Sequence, residues 1–330
     1  MRVARSLALD DVRIEEMNDP RPSPGEVVCQ VLACGVCGSD VTDWYVAAKL
    51  PAVLGHEPVG LVLAVGEGVE TVTVGDRVAI HHHAPCGHCR RCRRGHETIC
   101  ERFRATALEP GGFAERLLVG AELVPELLAL PDDLDPVTAT FVEPLACVIR
   151  AQDRAGLRAG DSLLVVGAGA NGLLAIAAAR ARAVAAVWVR EPRAQRLAFA
   201  ESWEAERHGN ELVDVAIVCT PKPEAIAAAA AAIAPGGTLC LYAPPAPGTP
   251  PLLDGTALFL RELTVTASYS AGPSDMRAAL ALLSAGVIDP LPLVSHRFGL
   301  EDTARALELQ RRGEALKAVV LPAASAAVAA

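Results

Sequence analysis

The stretch that most restricts the fold is residues 162–182. Ser-Leu-Leu-Val-Val runs straight into Gly167-Ala168-Gly169-Ala170-Asn171-Gly172 and then into a helix-forming run ending near Arg182. A continuous apolar run bounded by glycine reads as a strand buried on both faces, as in parallel sheets. Each glycine has a use: the first permits a tight turn, the second lets backbone approach a pyrophosphate, and the third lets the helix pack on the strand. The helix turns its partly positive N-terminus toward the same place. A second strand over 186–189 ends near Glu191, about twenty residues past the last glycine, where a carboxylate accepts hydrogen bonds from both ribose hydroxyls of an adenosine.

The expectation is a doubly wound parallel sheet that binds NAD. Arg190 and Arg193 flank Glu191, and a guanidinium there suits the 2′-phosphate of NADP. A carboxylate at the ribose position repels that phosphate, so NAD is the first reading and NADP the alternative. Arg196 is counted among the cofactor-facing residues, with Gly167 to Gly172 and Glu191. A third strand over 213–219 ends at Thr220-Pro221, and loops at the carboxyl ends of parallel strands form the ligand crevice, which brings Cys219 and Thr220 to the cofactor. One departure is expected. If Glu206-Arg207-His208 formed a full edge strand, about four residues, with roughly 14 Å of reach, would have to cross beneath two neighbours. Without it, residues 206–212 span roughly 23 Å directly into the next strand, so the edge strand is predicted to be missing or a stub.

The rest of the chain has a different character. Short apolar runs at 26–31, 59–66 and 72–80 alternate with turns such as Pro24-Gly25 and Gly75-Asp76, which predicts a small β-rich barrel or sandwich. At 330 residues the chain exceeds what one core usually organises, so two domains are expected. Residues 263–270 and 317–321 read as strands, 275–284 and 302–312 as helices, and the Ala-rich tail as a frayed end. A net charge of −9 disfavours nucleic acid or an anionic membrane as partner. The opening residues carry no basic-then-apolar signal, and arginines interrupt the Ala-rich runs, so a soluble cytoplasmic protein without a membrane span is expected.

Ten cysteines in a long chain of this kind point to metal or redox chemistry rather than disulfides. Cys86, Cys89, Cys92 and Cys100 form C-x2-C-x2-C-x7-C, whose four thiolates close a tetrahedral, saturated and therefore structural zinc site. Arg90, Arg91, Arg93 and Arg94 between them read as a solvated face rather than a nucleic-acid finger, since no finger-type His pair follows. Cys29, Cys147, Cys219 and Cys240 sit among apolar neighbours as ordinary core residues. Cys37, His56 and adjacent carboxylates offer the ligand set of a zinc ion that keeps an open position. Glu143 starts an apolar helix-like run, where a carboxylate could simply favour the helix N-terminus. His81, His82 and His83 follow a strand; alternation lets at most two share a face, so they read as surface or supporting residues rather than a third metal site.

Taken in order, Cys37-Gly-Ser-Asp, Gly55-His56-Glu57, Gly75-Asp76-Arg77-Val78, the four-cysteine lobe, Glu143-Pro144-Leu145 and the glycine turn resemble the zinc-dependent medium-chain dehydrogenases, especially the sorbitol and threonine dehydrogenase branch. The resemblance implies a GroES-like catalytic domain over 1–145 and 288–330, with its zinc lobe at about 84–102, a Rossmann domain over 146–287, and an active site in the cleft. It implies two zinc ions per chain: Cys37 and His56 as catalytic ligands with Glu57 and Glu143 binding directly or trading places with water, and the four lobe cysteines on the structural ion. Hydride passes from a secondary alcohol on a polyol, sugar or amino alcohol to the cofactor, giving the ketone, and the proton leaves through Ser39. Thr42 stands where related enzymes often have a proton-relaying His, so the later path runs through Thr42 and the cofactor ribose or through water and Glu57. Trp44, Tyr45 and Arg297 are candidate pocket residues. Alternatives are an NADP-dependent sugar or aldehyde reductase and a non-catalytic nucleotide-binding relative. The branch implies a homodimer or homotetramer, paired through the edge of the strand at 263–270.

Overall fold

The computed structural model describes residues 1–250 and 252–322, so the Ala-rich tail lies outside the described residues. The chain forms two compact units, Met1–Glu143 with Gly272–Ala330, and Pro144–Ala271.

The second unit is built on one sheet of parallel strands. Their order is Glu206–Arg207, Ala186–Arg190, Ser162–Val166, Val213–Val218, Ile233–Leu241 and Thr264–Ala267. Leu163, Leu164, Val165 and Val166 are buried, as a strand covered on both faces requires. The edge strand is a stub: Glu206 and Arg207 alone pair with Trp188 and Val189, and both side chains are exposed. His208 then turns inward, its backbone N–H donating to Val189 O at 3.0 Å and its Nδ1 accepting from Arg190 Nε at 3.0 Å.

The first unit is β-rich. Val27–Gly35, apolar except for Gln30, runs through its middle. Glu57–Val65 pairs along one edge of this strand, while Arg116–Val119 and Lys317–Leu321 share the other. The register sets Glu57 opposite Gly35 and Val319 opposite Gly35, so residues from both ends of the chain meet at one glycine. The helix Pro273–Ser284 groups with this unit by its contacts. Its Met276 lines a small cavity with Glu57, Ile80 and Glu143, and a Gly-Pro step at 272–273 separates it from the parallel sheet.

Candidate active site

Cys37 and Asp40 enter on one tight turn, the 3-10 segment Gly38–Val41, while His56 and Glu57 open the strand Glu57–Val65. The turn is closed by Asp40, whose Oδ2 accepts the backbone N–H of Cys37 at 3.0 Å. Its other oxygen lies 3.1 Å from His56 Nδ1. Asp40 was not among the residues singled out by sequence, although it ends the Cys-Gly-Ser-Asp run. It fixes the ring so that Nε2 faces Ser39 Oγ at 3.5 Å. Burial works against a charged ring, yet Asp40 and Cys37 hold the His56 pKa well above its usual value. Ligand atoms of Cys37, His56 and Glu57 all lie within 4.8 Å of one another. Replacing Asp40 by Asn is expected to weaken zinc binding here about 10–100-fold, the usual cost of losing a carboxylate that orients a ligating His. Competition with a chelator measures this, and unchanged affinity would remove the positioning role.

Glu57 is held from an unexpected side. Its carboxylate is buried, and Oε2 accepts a hydrogen bond from Lys317 Nζ, itself 2% exposed. Gly35 leaves room for this pair; a Cβ there would lie 2.0 Å from Glu57 Oε2 and 3.0 Å from Lys317 Cε. Burial alone would push the Lys317 ammonium down, but Glu57, Cys37 and Glu143 raise its pKa instead. Glu57 Oε1 is buried with no hydrogen-bond partner. An orphaned carboxylate oxygen beside a thiol and an oriented imidazole is what a zinc site offers, so these residues fit that ion.

The remaining candidates fall less evenly. Thr42 Oγ1 donates to Gly38 O at 2.9 Å, so its hydroxyl hydrogen is engaged in the turn. Trp44 is 38% exposed and Arg297 is exposed, while Tyr45 lies edge-on to Trp44 and carries Lys49 Nζ 3.8 Å from its ring centre. Glu143, second residue of the helix Val142–Arg154, is buried and groups with His81 and His82 rather than with Cys37. The three consecutive histidines differ from the surface reading. Their preceding strand ends at Ala79, so side-chain alternation no longer applies and the rings turn inward. Burial pushes His81 and His83 down to about 4, and His82 well below its usual value.

The sulfurs of Cys86, Cys89, Cys92 and Cys100 gather within 4.8 Å of one another, with Cys89 and Cys92 at 3.5 Å. Backbone N–H groups of Cys89 and Cys92 point at the preceding sulfurs, at 3.3 and 3.5 Å. Arg90, Arg91, Arg93 and Arg94 are exposed around this lobe. Four convergent thiols with backbone donors suit a saturated zinc site.

The glycine turn has its own geometry. Gly167 has φ +98°, and a Cβ there would touch Cys219 and Thr220, which therefore lie against the turn. A Cβ at Gly172 would fall 1.9 Å from Gly167 O, so only glycine lets the helix Ala170–Ala181 pack this close. Gly169 leaves its surroundings open apart from Arg196 at 3.8 Å. Glu191 accepts the N–H of Ala168 at 2.8 Å and of Arg193 at 2.9 Å. Arg190 is committed elsewhere, its NH1 donating to Ala228 O at 3.0 Å. The open second glycine and the carboxylate beside the turn fit a dinucleotide.

Comparison with known proteins agrees with both halves. Residues 23–132 match the alcohol dehydrogenase GroES-like domain, and residues 170–285 match the zinc-binding dehydrogenase family. The chain is 30% identical to sorbitol dehydrogenase of Bacillus subtilis, with 94% of each covered. It is 31% identical to L-threonine 3-dehydrogenase of Pyrococcus horikoshii, covering 93% of this chain and 94% of that one. Among solved structures, the alcohol dehydrogenase TADH from Thermus sp. ATN1 superposes with a TM-score of 0.86 at 30% identity, covering 97% of this chain and 99% of that one.

Proposed function

Since the chain belongs to the zinc-binding alcohol dehydrogenase family, we propose that it oxidises a secondary alcohol of a polyol, sugar or amino alcohol to the ketone, with NAD as hydride acceptor. The observation that carries this reading is the convergence of Cys37, an oriented His56 and the orphaned Glu57 oxygen. Zinc held by Cys37, His56 and Glu57 or Glu143 supplies a Lewis acid that lowers the pKa of an alcohol, and NAD supplies the hydride acceptor. Ser39, beside His56, takes the hydroxyl proton. Thr42 can pass it on only by exchanging its bond to Gly38, so water is the shorter outlet. Asp40 holds the His56 ring still while this happens. A second zinc in the four-cysteine lobe is structural.

On the cofactor, Glu191 supports NAD, while Arg193 and Arg196 beside it keep NADP as the second reading. A carboxylate about 4 Å from a phosphate charge costs roughly 1–4 kcal/mol. Glu191→Ala is therefore expected to improve NADP use relative to NAD by about tenfold or more, read as the ratio of kcat/KM values. Purified protein screened against polyols, sugars and amino alcohols, following nicotinamide absorbance with either cofactor, tests the whole reading. Inactivity on all of them with both cofactors would overturn it.

Further parts of the reading are the compartment and the assembly. Ten unpaired cysteines favour a reducing compartment, hence the cytoplasm. The sheet-edge strand Thr264–Ala267 exposes Val265, and the helix before it exposes Phe259 and Leu260. These support a homodimer or homotetramer joined along that edge, which light scattering in solution checks.

A further inference from the structure

We propose that Lys49 is a specificity residue, and that the alcohol oxidised here carries a phosphate or carboxylate group which the Lys49 ammonium binds. The inference rests on the dehydrogenase reading above and narrows its substrates to the acids and phosphate esters of polyols, sugars and amino alcohols. The side chain is placed by its neighbours. The N–H groups of Tyr45 and Val46 both donate to Thr42 O at 2.9 Å, which starts the short helix Asp43–Ala47 directly on the turn that carries Ser39 and Asp40. Lys49 closes the following turn, its N–H donating to Val46 O at 2.8 Å. Long side chains in such a turn lean back toward its N-terminus. Lys49 does so: its Nζ lies 3.8 Å from the centre of the Tyr45 ring, four residues earlier. Tyr45 stands only three residues past Thr42, about 4.5 Å of helical rise, so the ammonium is carried back toward the Cys37 turn.

Its charge is felt beside His56. Burial opposes the Asp40 carboxylate, while the charges of His56 and Lys49 hold its pKa down; burial lowers His82 and His83, and Lys49 pushes both further the same way. Asp40 and His82 are the groups that meet His56, at 3.1 Å and at 5.0 Å between ring centres. The ammonium is also uncommitted. It is exposed, and among the described residues no carboxylate pairs with it; Asp43, the acid of its own helix, pairs with Arg311 Nε at 3.6 Å. Lys317, the other lysine near this set, is spent on Glu57. The chain's cations are nearly all arginine, with lysine at 49, 222 and 317 alone. A guanidinium would stack flat on the tyrosine, whereas an ammonium is a compact charge that can turn from the ring to a phosphate or carboxylate oxygen.

Two measurements on the zinc-loaded full chain test this, with D-glucitol, D-glucitol 6-phosphate and D-gluconate as one carbon skeleton with no anion, a phosphate or a carboxylate. The first needs no turnover. Limiting lysine acylation read by peptide mass mapping compares Lys49 with Lys222, an exposed internal control. Inorganic phosphate and at least one anionic probe, at constant ionic strength, should slow the reaction of Lys49 several-fold more than that of Lys222. The second is kinetic. The ratio of kcat/KM for the anionic over the neutral alcohol should fall about 10–100-fold in Lys49→Met, as expected for losing a charge-assisted hydrogen bond, and chiefly through KM. Lys49→Arg, which keeps the charge, should restore the larger part. Whichever anion gives the higher ratio in wild type names the group. A ratio left unchanged by Lys49→Met would overturn the proposal, and so would acylation of Lys49 at one rate with and without every anion. Protection of Lys49 by anions, with no alcohol oxidised by either cofactor, would sink the dehydrogenase reading and leave Lys49 an anion-binding residue.

Discussion

Replacing Cys37 with serine is expected to lower kcat/KM for the alcohol by about a thousandfold or more, with the fold and the four-cysteine lobe intact. The Lewis-acid contribution of a catalytic zinc is several kcal/mol, and about 1.4 kcal/mol is a factor of ten in rate. Serine keeps the size but is a far poorer zinc ligand than a thiolate. The turn itself should survive, because its closing bond runs from the Cys37 backbone N–H to Asp40 and not through the sulfur. Circular dichroism should match wild type, and the lobe should keep its ion. Retention of more than a tenth of wild-type activity would mean that Cys37 is no ligand of a catalytic ion, and the proposed chemistry would fall with it.

What sequence revealed follows from how local each feature is. The strand Ser162–Val166 and the glycine turn were legible because turn, strand and helix lie within about twenty residues, and each glycine answers a steric demand of its neighbours. The four-cysteine lobe was legible for the same reason. The stub at Glu206–Arg207 came from chain reach alone, which is a local count. Lys317 was not legible. It opens a strand that reads as an ordinary apolar run, and its partner Glu57 lies 260 residues earlier, so only the register through Gly35 brings them together. The signal, had it been weighed, was a lysine opening a strand whose next four residues are all apolar. His81 was read as surface or supporting, and its burial was not legible because the two-residue period was carried past the end of its strand. Asp40 was visible in its motif, but its bond to His56 depends on two segments meeting.

The Lys317–Glu57 pair carries the largest stability prediction. Removing one partner of a buried ion pair costs about 3–5 kcal/mol, because the other charge is left uncompensated. Lys317→Met in metal-free protein should therefore destabilise the first unit by that amount, read by denaturant unfolding. Adding Glu57→Gln should recover part of the loss, since no full charge then remains; the double-mutant cycle isolates the pair. Gly35→Ala should act in the same direction, as its Cβ would lie 2.0 Å from Glu57 Oε2. Lys317 holds Oε2 and leaves Oε1 without a partner, so the two oxygens answer to different cations. If zinc sits at the Cys37 set, loading it should shrink the cost of Lys317→Met, because a second positive charge then faces the same carboxylate. A cost within about 0.5 kcal/mol, as for an ordinary surface change, would remove the pair from the structural account. A cost that is large but the same with and without zinc would instead place Glu57 beyond the reach of the ion, leaving Glu143 as the carboxylate that serves it.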